Sequence, residues 1–264
     1  MAGKIQRKRV LITVRTYPTP AQKGVEVSCT AGVTDDGEWI RLFPVPYRRL
    51  DFDKQFKKYQ WIDVEVSKAK KDPRPESFTP NIDSIQIVGD VSSKDHWNER
   101  RRLLAPLTSH CFCCIKQRQT ETGFPTLGLF KPLSIERLSI EPVDPNWTED
   151  ELARLRQYFM FEKANLQELE KIPFKFTYDF RCSHDGCGGH SVSCTDWEMS
   201  ESYRKWRRKY VSNWEDKFRE TYEQDMMIKY ETHFFVGNLL RYPKTWIIVG
   251  LFYPPPPGPQ GALL

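Results

Sequence analysis

Hydrophobic and polar residues alternate over much of the first ninety positions, as they do in strands with one buried face. The Asp36-Gly37 pair marks a hairpin turn between two of these alternating segments. The pattern predicts strands at residues 9–17, 25–34, 38–45, 59–68 and 84–88. Short strands at such close spacing favour a small β-barrel, of which the OB fold is one form.

The rest of the chain mixes helical and strand patterns. Helices are predicted at residues 95–104 and 147–159, and strands at 128–143, 174–181, 231–236 and 245–253, the last two joined around Gly237-Asn238. Aromatic residues recur every fourth position within 196–227, which predicts one long helix with an apolar stripe formed by Trp206, Tyr210, Trp214, Phe218 and Tyr222.

These elements predict an α+β protein with two modules. We place a β-rich, OB-like module at residues 1–145, an α+β module at 146–254 and a Pro/Gly-rich tail at 255–264, with the boundary falling between 145 and 172. One continuous domain is the alternative.

A Cys/His-rich turn at residues 182–194 is the sharpest chemical signal. Zinc takes four tetrahedral thiolate and imidazole ligands, and Cys187 and His190 have a common ligand spacing, with Cys182 shortly before them. Cys194 is the first choice for the fourth ligand, and His184 is the second. The group at 110–114 could supply it from a distance, or join the other cysteines around an iron–sulfur cluster. Buried free thiols are the plainer interpretation, favoured for Cys29.

Composition limits the classes of protein that fit. With 264 residues, 39% hydrophobic and 13% aromatic, the chain can fill an ordered core, so disorder is excluded as its main state. It has no apolar run long enough to span a membrane and no recognisable signal peptide. We therefore expect a cytoplasmic protein whose seven cysteines are reduced.

Basic residues are the second signal. The net charge of +5 permits a nucleic-acid partner, and its clustering matters more than its total. Arg204, Arg207 and Arg208 lie in the predicted long helix, and Arg41 and Arg48 alternate with aromatic residues in a predicted strand and its exit. Such residues hold phosphates and bases in single-strand binders. A solvated helix face and a packed strand are the alternatives. Arg74, between two prolines, suits either a ligand-facing loop or a rigid crossover paired with a carboxylate.

Two segments carry family resemblances. The residues Cys29-Thr-Ala31-Gly32 and Gly37-Glu-Trp39-Ile40-Arg41 resemble elements of bacterial dual-OB-domain proteins, although Leu42 stands where those have proline. The carboxy-terminal Cys187-x-Gly189-His190 and Trp246-Ile-Ile-x-Gly250 elements are similar to those of an uncharacterised bacterial family. The resemblances imply an OB-like, nucleic-acid-oriented protein with a metal-stabilised second half, and they imply no enzyme.

Three functions fit these signals. The first is a nucleic-acid-binding protein with a structural zinc site. The second is a metal-dependent enzyme acting on nucleic acid or nucleotides. Its candidate residues are Asp196, Glu198 and His184 beside the metal, with Asp72 and Glu76 as remote acids, although none of the common phosphate-binding or hydrolase motifs is present. The third is an iron–sulfur or redox sensor that uses Cys111, Cys113 and Cys114.

Overall fold

The computed structural model describes residues 4–21, 26–159 and 168–258, without the side chains of 156–159. The protein is a mixed α+β chain of two compact units. Unit 1 holds Met1–Gly89 and Glu141–Lys175, and unit 2 holds Asp90–Ile140 and Phe176–Leu264. The interval 145–172, where the sequence suggested a module boundary, lies within the segment that returns to unit 1.

Unit 1 contains a closed barrel of five strands. The strands of this region are β1 (Gln6–Arg15), β2 (Thr19–Pro20), β3 (Glu26–Thr34), β4 (Trp39–Val45), β5 (Gln60–Lys68), β6 (Ser77–Pro80) and β7 (Gln86–Asp90). They pair in the order β1-β3-β4-β6-β5, and β5 pairs back onto β1 to close the barrel. The pairing of β4 with β6 is parallel, and the other barrel pairings are antiparallel. This closed, OB-like arrangement confirms the predicted fold class.

Alternation along the strands explains the barrel core. Inward-facing aliphatic residues such as Val10, Ile12, Ile40, Ile62 and Val64 are fully or almost fully buried against one another. The strand β6 was not predicted, because it is short and ends at a proline.

A second sheet forms the body of unit 2. Its strands are β8 (Thr108–Ser109), β9 (Leu127–Phe130), β10 (Ser134–Pro142), β11 (Phe174–Arg181), β12 (His190–Cys194), β13 (His233–Asn238) and β14 (Trp246–Phe252). The order is β10-β11-β12-β14-β13-β9-β8, with a parallel contact between β12 and β14.

Helices alternate with the strands along the sequence from residue 94 onward. They are α1 (Lys94–Leu104), α2 (Phe112–Thr122), α3 (Glu149–Phe159), α4 (Trp197–Tyr210), α5 (Trp214–Arg219) and α6 (Asp225–Ile228), with a π turn at Glu220–Gln224. Short 3-10 turns occupy Tyr47–Arg49, Phe52–Lys54, Ile82–Ser84, Ala105–Leu107 and Val211–Asn213. None of the helices in the described part of the chain combines the length and hydrophobicity that crossing a bilayer requires.

Four residues of the aromatic stripe, Trp206, Trp214, Phe218 and Tyr222, pack against one another, but the helix that carries them is not continuous. Phe218 and Tyr222 are buried, and the Phe218 ring stacks on Phe176 at 4.7 Å between centroids. The prediction of one helix over 196–227 is wrong at Val211, whose φ of 47° ends α4 and starts a new turn.

Candidate metal centre and basic surfaces

Three cysteines and one histidine converge at one edge of unit 2. The donor atoms of Cys113, Cys182, Cys187 and His190 all lie within 4.8 Å of one another. The His190 Nε2 atom is 3.3 Å from Cys113 Sγ, 3.7 Å from Cys182 Sγ and 3.4 Å from Cys187 Sγ. The sulfurs of Cys182 and Cys187 are 3.6 Å apart.

These distances fit one tetrahedral metal ion. Metal–sulfur bonds of about 2.3 Å and metal–nitrogen bonds of about 2.0 Å place neighbouring ligand atoms roughly 3.5–3.8 Å apart. A Cys₃His ligand set is one of the closed, four-ligand sets of structural metal sites. The four residues could therefore hold a metal ion with no coordination position left open.

Local backbone geometry brings three of the ligands together. Cys182 directly follows β11, and His190 begins β12. Between them the N–H of Cys187 donates to the carbonyl of His184 at 3.0 Å, and Gly189 adopts a φ of +91° that favours glycine. The fourth ligand, Cys113, lies in the first turn of α2.

The electrostatics of the cluster favour a bound cation. Burial, followed by the neighbouring thiols of Cys182 and Cys187, raises the pKa of Cys113 to about 12. Backbone hydrogen bonds lower the pKa of Cys187. Burial lowers the pKa of His190, which keeps its imidazole in the neutral form that binds metal. Thiolates this close repel one another, and a divalent cation would relieve that repulsion.

Cys194, the expected fourth ligand, lies outside this cluster. It pairs across the sheet with Phe176, whereas His190 pairs with Phe180, four positions along β11. Four strand residues span about 13 Å, so Cys194 and His190 share a face but not a site. Of the alternatives, the group at 110–114 contributes the long-range ligand, and His184 does not join it.

The other two cysteines of the 110–114 group, Cys111 and Cys114, are bonded to each other. Cys111 and Cys114 are joined by a disulfide, with Cα atoms 5.2 Å apart, so the expectation that all seven cysteines are reduced is wrong for this pair. The physical reason is local: Cys111 caps α2, and the first helical turn brings Cys114 back to it. The donor atom of His184 lies within 4.8 Å of both sulfurs.

The two acids proposed beside the metal, Asp196 and Glu198, lie at the start of α4. The Asp196 carboxylate caps α4 by accepting from the N–H of Met199 at 3.0 Å, and also accepts from Leu251 N–H at 3.2 Å. It is 1% exposed and lies at the far end of β12 from His190. Neither Asp196 nor Glu198 belongs to a metal-ligand group in the described residues.

At least four of the six arginines expected to contact nucleic acid pair with carboxylates. Arg41 is buried, with its guanidinium 3.2 Å from Glu76, and the side chains of the pair are only 5% and 3% exposed. The other pairs are Arg48 with Glu26 at 3.0 Å, Arg74 with Asp72 at 2.6 Å and Arg204 with Glu201 at 2.8 Å. Of the two alternatives for Arg74, its pairing with Asp72 favours the rigid crossover over the ligand-facing loop.

The other two arginines are exposed. Arg207 and Arg208 lie near the end of α4 together with exposed Lys205 and Lys209. The aromatic residue Trp206, which lies between Lys205 and Arg207 in the sequence, instead contacts the rings of Phe218 and Tyr222.

A basic and aromatic hairpin tip was missed by sequence reasoning, which placed this turn at Gly237-Asn238. Residues 239–245 connect β13 to β14, and Tyr242 is 66% exposed between exposed Arg241 and Lys244. The turn is held by hydrogen bonds from Leu239 N–H to Thr245 O and from Thr245 N–H to Tyr242 O. Among the described residues, neither basic side chain of this tip pairs with a carboxylate.

The tip and the metal centre share one end of the sheet. Cys194 of β12 pairs in parallel with Ile248 of β14, so both strands begin at the same end of the sheet. His190, the first residue of β12, and the residues just before β14 therefore lie at that end. Aromatic contacts bridge them: the rings of Trp246 and Phe112 are 6.0 Å apart, and those of Phe112 and His190 are 4.9 Å apart.

Comparison with known proteins defines a family. Residues 108–263 match the model described as Domain of unknown function (DUF8757), which covers more than half of the chain, so the protein belongs to this family. Residues 6–106 match Domain of unknown function (DUF8758). No curated protein matches the chain.

Among solved structures, the chain is similar to a replication protein A heterotrimer bound to ssDNA. The identity is 12% and the TM-score is 0.34, with 100% of this chain and 51% of that chain covered. The chain therefore spans about half the length of that protein chain. Similarity at this level does not define a shared function.

Proposed function

We propose that this protein binds single-stranded nucleic acid through unit 2, with a zinc ion fixing the surface that makes the contact. The observation that carries the proposal is the tip at 239–245, where exposed Tyr242 stands between Arg241 and Lys244. An aromatic ring stacks on a base, and flanking cations contact phosphates. A tied backbone turn presents the three side chains with little ordering entropy to lose.

Zinc is the metal that best fits the ligand set. Cys₃His is a usual structural zinc site, and the four donor atoms are as close as the ligands of one ion. The thiolates of an iron–sulfur cluster are separated by its iron and sulfide atoms. Zinc would stabilise the Cys182–His190 loop and, through Phe112 and Trp246, the base of the tip. The free thiols of Cys113, Cys182 and Cys187 support a reducing location such as the cytoplasm, whereas the Cys111–Cys114 disulfide is the oxidised pair of the same region.

The exposed end of α4 is the second element of the proposed surface. Arg207 and Arg208, with Lys205 and Lys209, place four cations within five residues, which suits sequence-independent phosphate contact. The OB-like barrel supports the proposal only by fold-level analogy, because Arg41 and Arg48 there are held by Glu76 and Glu26.

The test is a salt-titrated binding assay with a fluorescent single-stranded oligonucleotide. Tyr242→Ala should weaken binding by about 1–3 kcal/mol, the contribution of one stacked base. Arg241→Ala/Lys244→Ala should lower the salt slope by about 1.4, because each single-strand phosphate contact contributes roughly 0.7. Lys70→Ala/Lys71→Ala removes two exposed charges from unit 1 and serves as the control with unchanged slope.

Binding that is absent, independent of salt, or equally sensitive to both double variants would overturn the proposal. Loss of binding on zinc removal, recovered on adding zinc back, would support the role of the metal in fixing the tip.

A further inference from the structure

The segment 110–114 divides its cysteines between two groups. Cys113 belongs to the Cys₃His centre, whereas Cys111 and Cys114 are bonded to each other with the His184 imidazole beside them. The centre thus leaves three soft donor atoms unused within 4.8 Å of one another.

We propose that Cys111, Cys114 and His184 form a second zinc site that is controlled by redox state. The disulfide prevents the two cysteines from binding zinc, and its reduction makes them available as ligands. The inference concerns a different set of ligands from the proposed nucleic-acid surface and does not depend on it. The spacing Cys-x-x-Cys at the start of a helix is used both by disulfides and by zinc ligand pairs. The same backbone therefore serves either state.

Contacts between two chain segments hold the third ligand in place. Ser183 donates from its hydroxyl to the carbonyl of His110 at 2.8 Å, which ties the loop after β11 to the residue before Cys111. The N–H of Cys187 donates to the His184 carbonyl and fixes the turn on its other side. His184 is therefore presented to the sulfurs by a tied backbone, with its side chain exposed.

The geometry after reduction suits zinc with one open position. The two sulfurs would separate to about 3.8 Å, the spacing of neighbouring thiolates on zinc, and the imidazole would close by a small rotation. Three protein ligands leave the fourth position to water, and exposed His184 puts that position near solvent. The site thus differs from the closed Cys₃His centre beside it.

A low-molecular-weight thiol supplies the electrons that reduce the Cys111–Cys114 disulfide. Two such thiols are oxidised to one disulfide, and the Cys111–Cys114 bond takes up two electrons and two protons to give two thiols. Zn²⁺ then binds the thiolates and releases both protons.

The experiment is zinc stoichiometry of the full chain, measured by elemental analysis after equilibration with excess zinc and removal of unbound metal. Protein kept oxidised should carry one zinc, and protein reduced with a phosphine should carry two. The double variant Cys111→Ser/Cys114→Ser should carry one in either condition. Cys29→Ser, a free cysteine outside both groups, is the matched control and should behave as the parent.

Cobalt substitution gives a second measurement. Reduced protein should show about twice the tetrahedral Co²⁺ absorbance of oxidised protein, and His184→Ala should lose the added half. One zinc per chain in reduced parent protein would overturn the proposal, whether or not the disulfide forms reversibly. A second zinc that survives in the double variant would overturn it as well. Neither result bears on Tyr242 and oligonucleotide binding.

Discussion

The Sγ atom of Cys113 and the Nε2 atom of His190 lie 3.3 Å apart, although 77 positions of sequence separate the two residues. The first turn of α2 is thereby brought against the loop between β11 and β12. A metal bound here would cross-link these segments and stabilise the folded state at the expense of the unfolded chain.

Replacing the long-range ligand separates this centre from one built on the local turn alone. We expect Cys113→Ser to weaken zinc binding by well over about tenfold, since even mutations behind the ligands cost roughly 10–100-fold. Cys194→Ala, which removes the locally expected ligand, should leave binding unchanged because Cys194 lies four strand positions from His190. Competition with a chromogenic chelator measures both affinities, and equal losses would contradict the assignment.

Local patterns were enough to predict the longer strands of the barrel and three residues of the Cys₃His group, but they did not single out Cys113 as the fourth. Alternation identified β1, β3, β4 and β5, because each has a face packed into the barrel. The helix α2 was missed, since its residues after Ile115 are all polar and it buries little besides that residue and Phe112. Without the helix, the group at 110–114 was only one of three alternatives for the fourth ligand, after Cys194 and His184.

The arginines show the same limit. Arg41 stands among aromatic residues in a strand, a pattern that is found both in binding surfaces and, more often, in packed strands. Its partner Glu76 lies 35 positions away, across the parallel pairing of β4 and β6 that sequence periodicity cannot supply. Arg74 was easier, because Asp72 is only two residues away.

Lowering the pH should release the metal. Zinc binds thiolates and neutral imidazole, so protons compete with it, and the affinity falls as pH falls. Burial lowers the pKa of His190, so the imidazole stays neutral to lower pH, and the thiols, including Cys113 with its pKa of about 12, account for most of the competition. We expect release between about pH 7 and 5 with more than one proton taken up per ion.

Zinc release into a chelator, followed at constant ionic strength, measures this dependence. The chelator's own protonation is calibrated with free zinc. Retention that is flat from pH 8 to 5, or uptake of less than one proton, would contradict a site made of several thiolates.

Removing Arg41 should destabilise the fold rather than alter nucleic-acid contacts. Arg41→Ala leaves the buried Glu76 carboxylate without its cation, and the loss of one partner of a buried pair costs about 3–5 kcal/mol of unfolding free energy. The double variant Arg41→Met/Glu76→Leu should recover most of this loss, because it removes both charges. Urea denaturation checks both values.

A loss of less than about 1 kcal/mol in Arg41→Ala, accompanied by a lower salt slope in oligonucleotide binding, would instead favour phosphate contact by this residue.

Gly32 is required where β3 pairs with β1, opposite Ile12. A Cβ atom at this position would lie 2.2 Å from the carbonyl oxygen of Leu11 and 2.8 Å from Val10 Cγ1, so Gly32→Ala would push the two strands apart. Since the obstacle is backbone in a closed barrel, we expect a loss of about 3 kcal/mol or more in unfolding free energy. Gly89→Ala is the matched control: Gly89 also lies in a strand, with no atom within 4 Å of the added carbon, and should change stability by less than about 1 kcal/mol. Thermal or urea unfolding of the two variants decides the matter, and equal stabilities would mean that the β1–β3 contact is looser than this geometry requires.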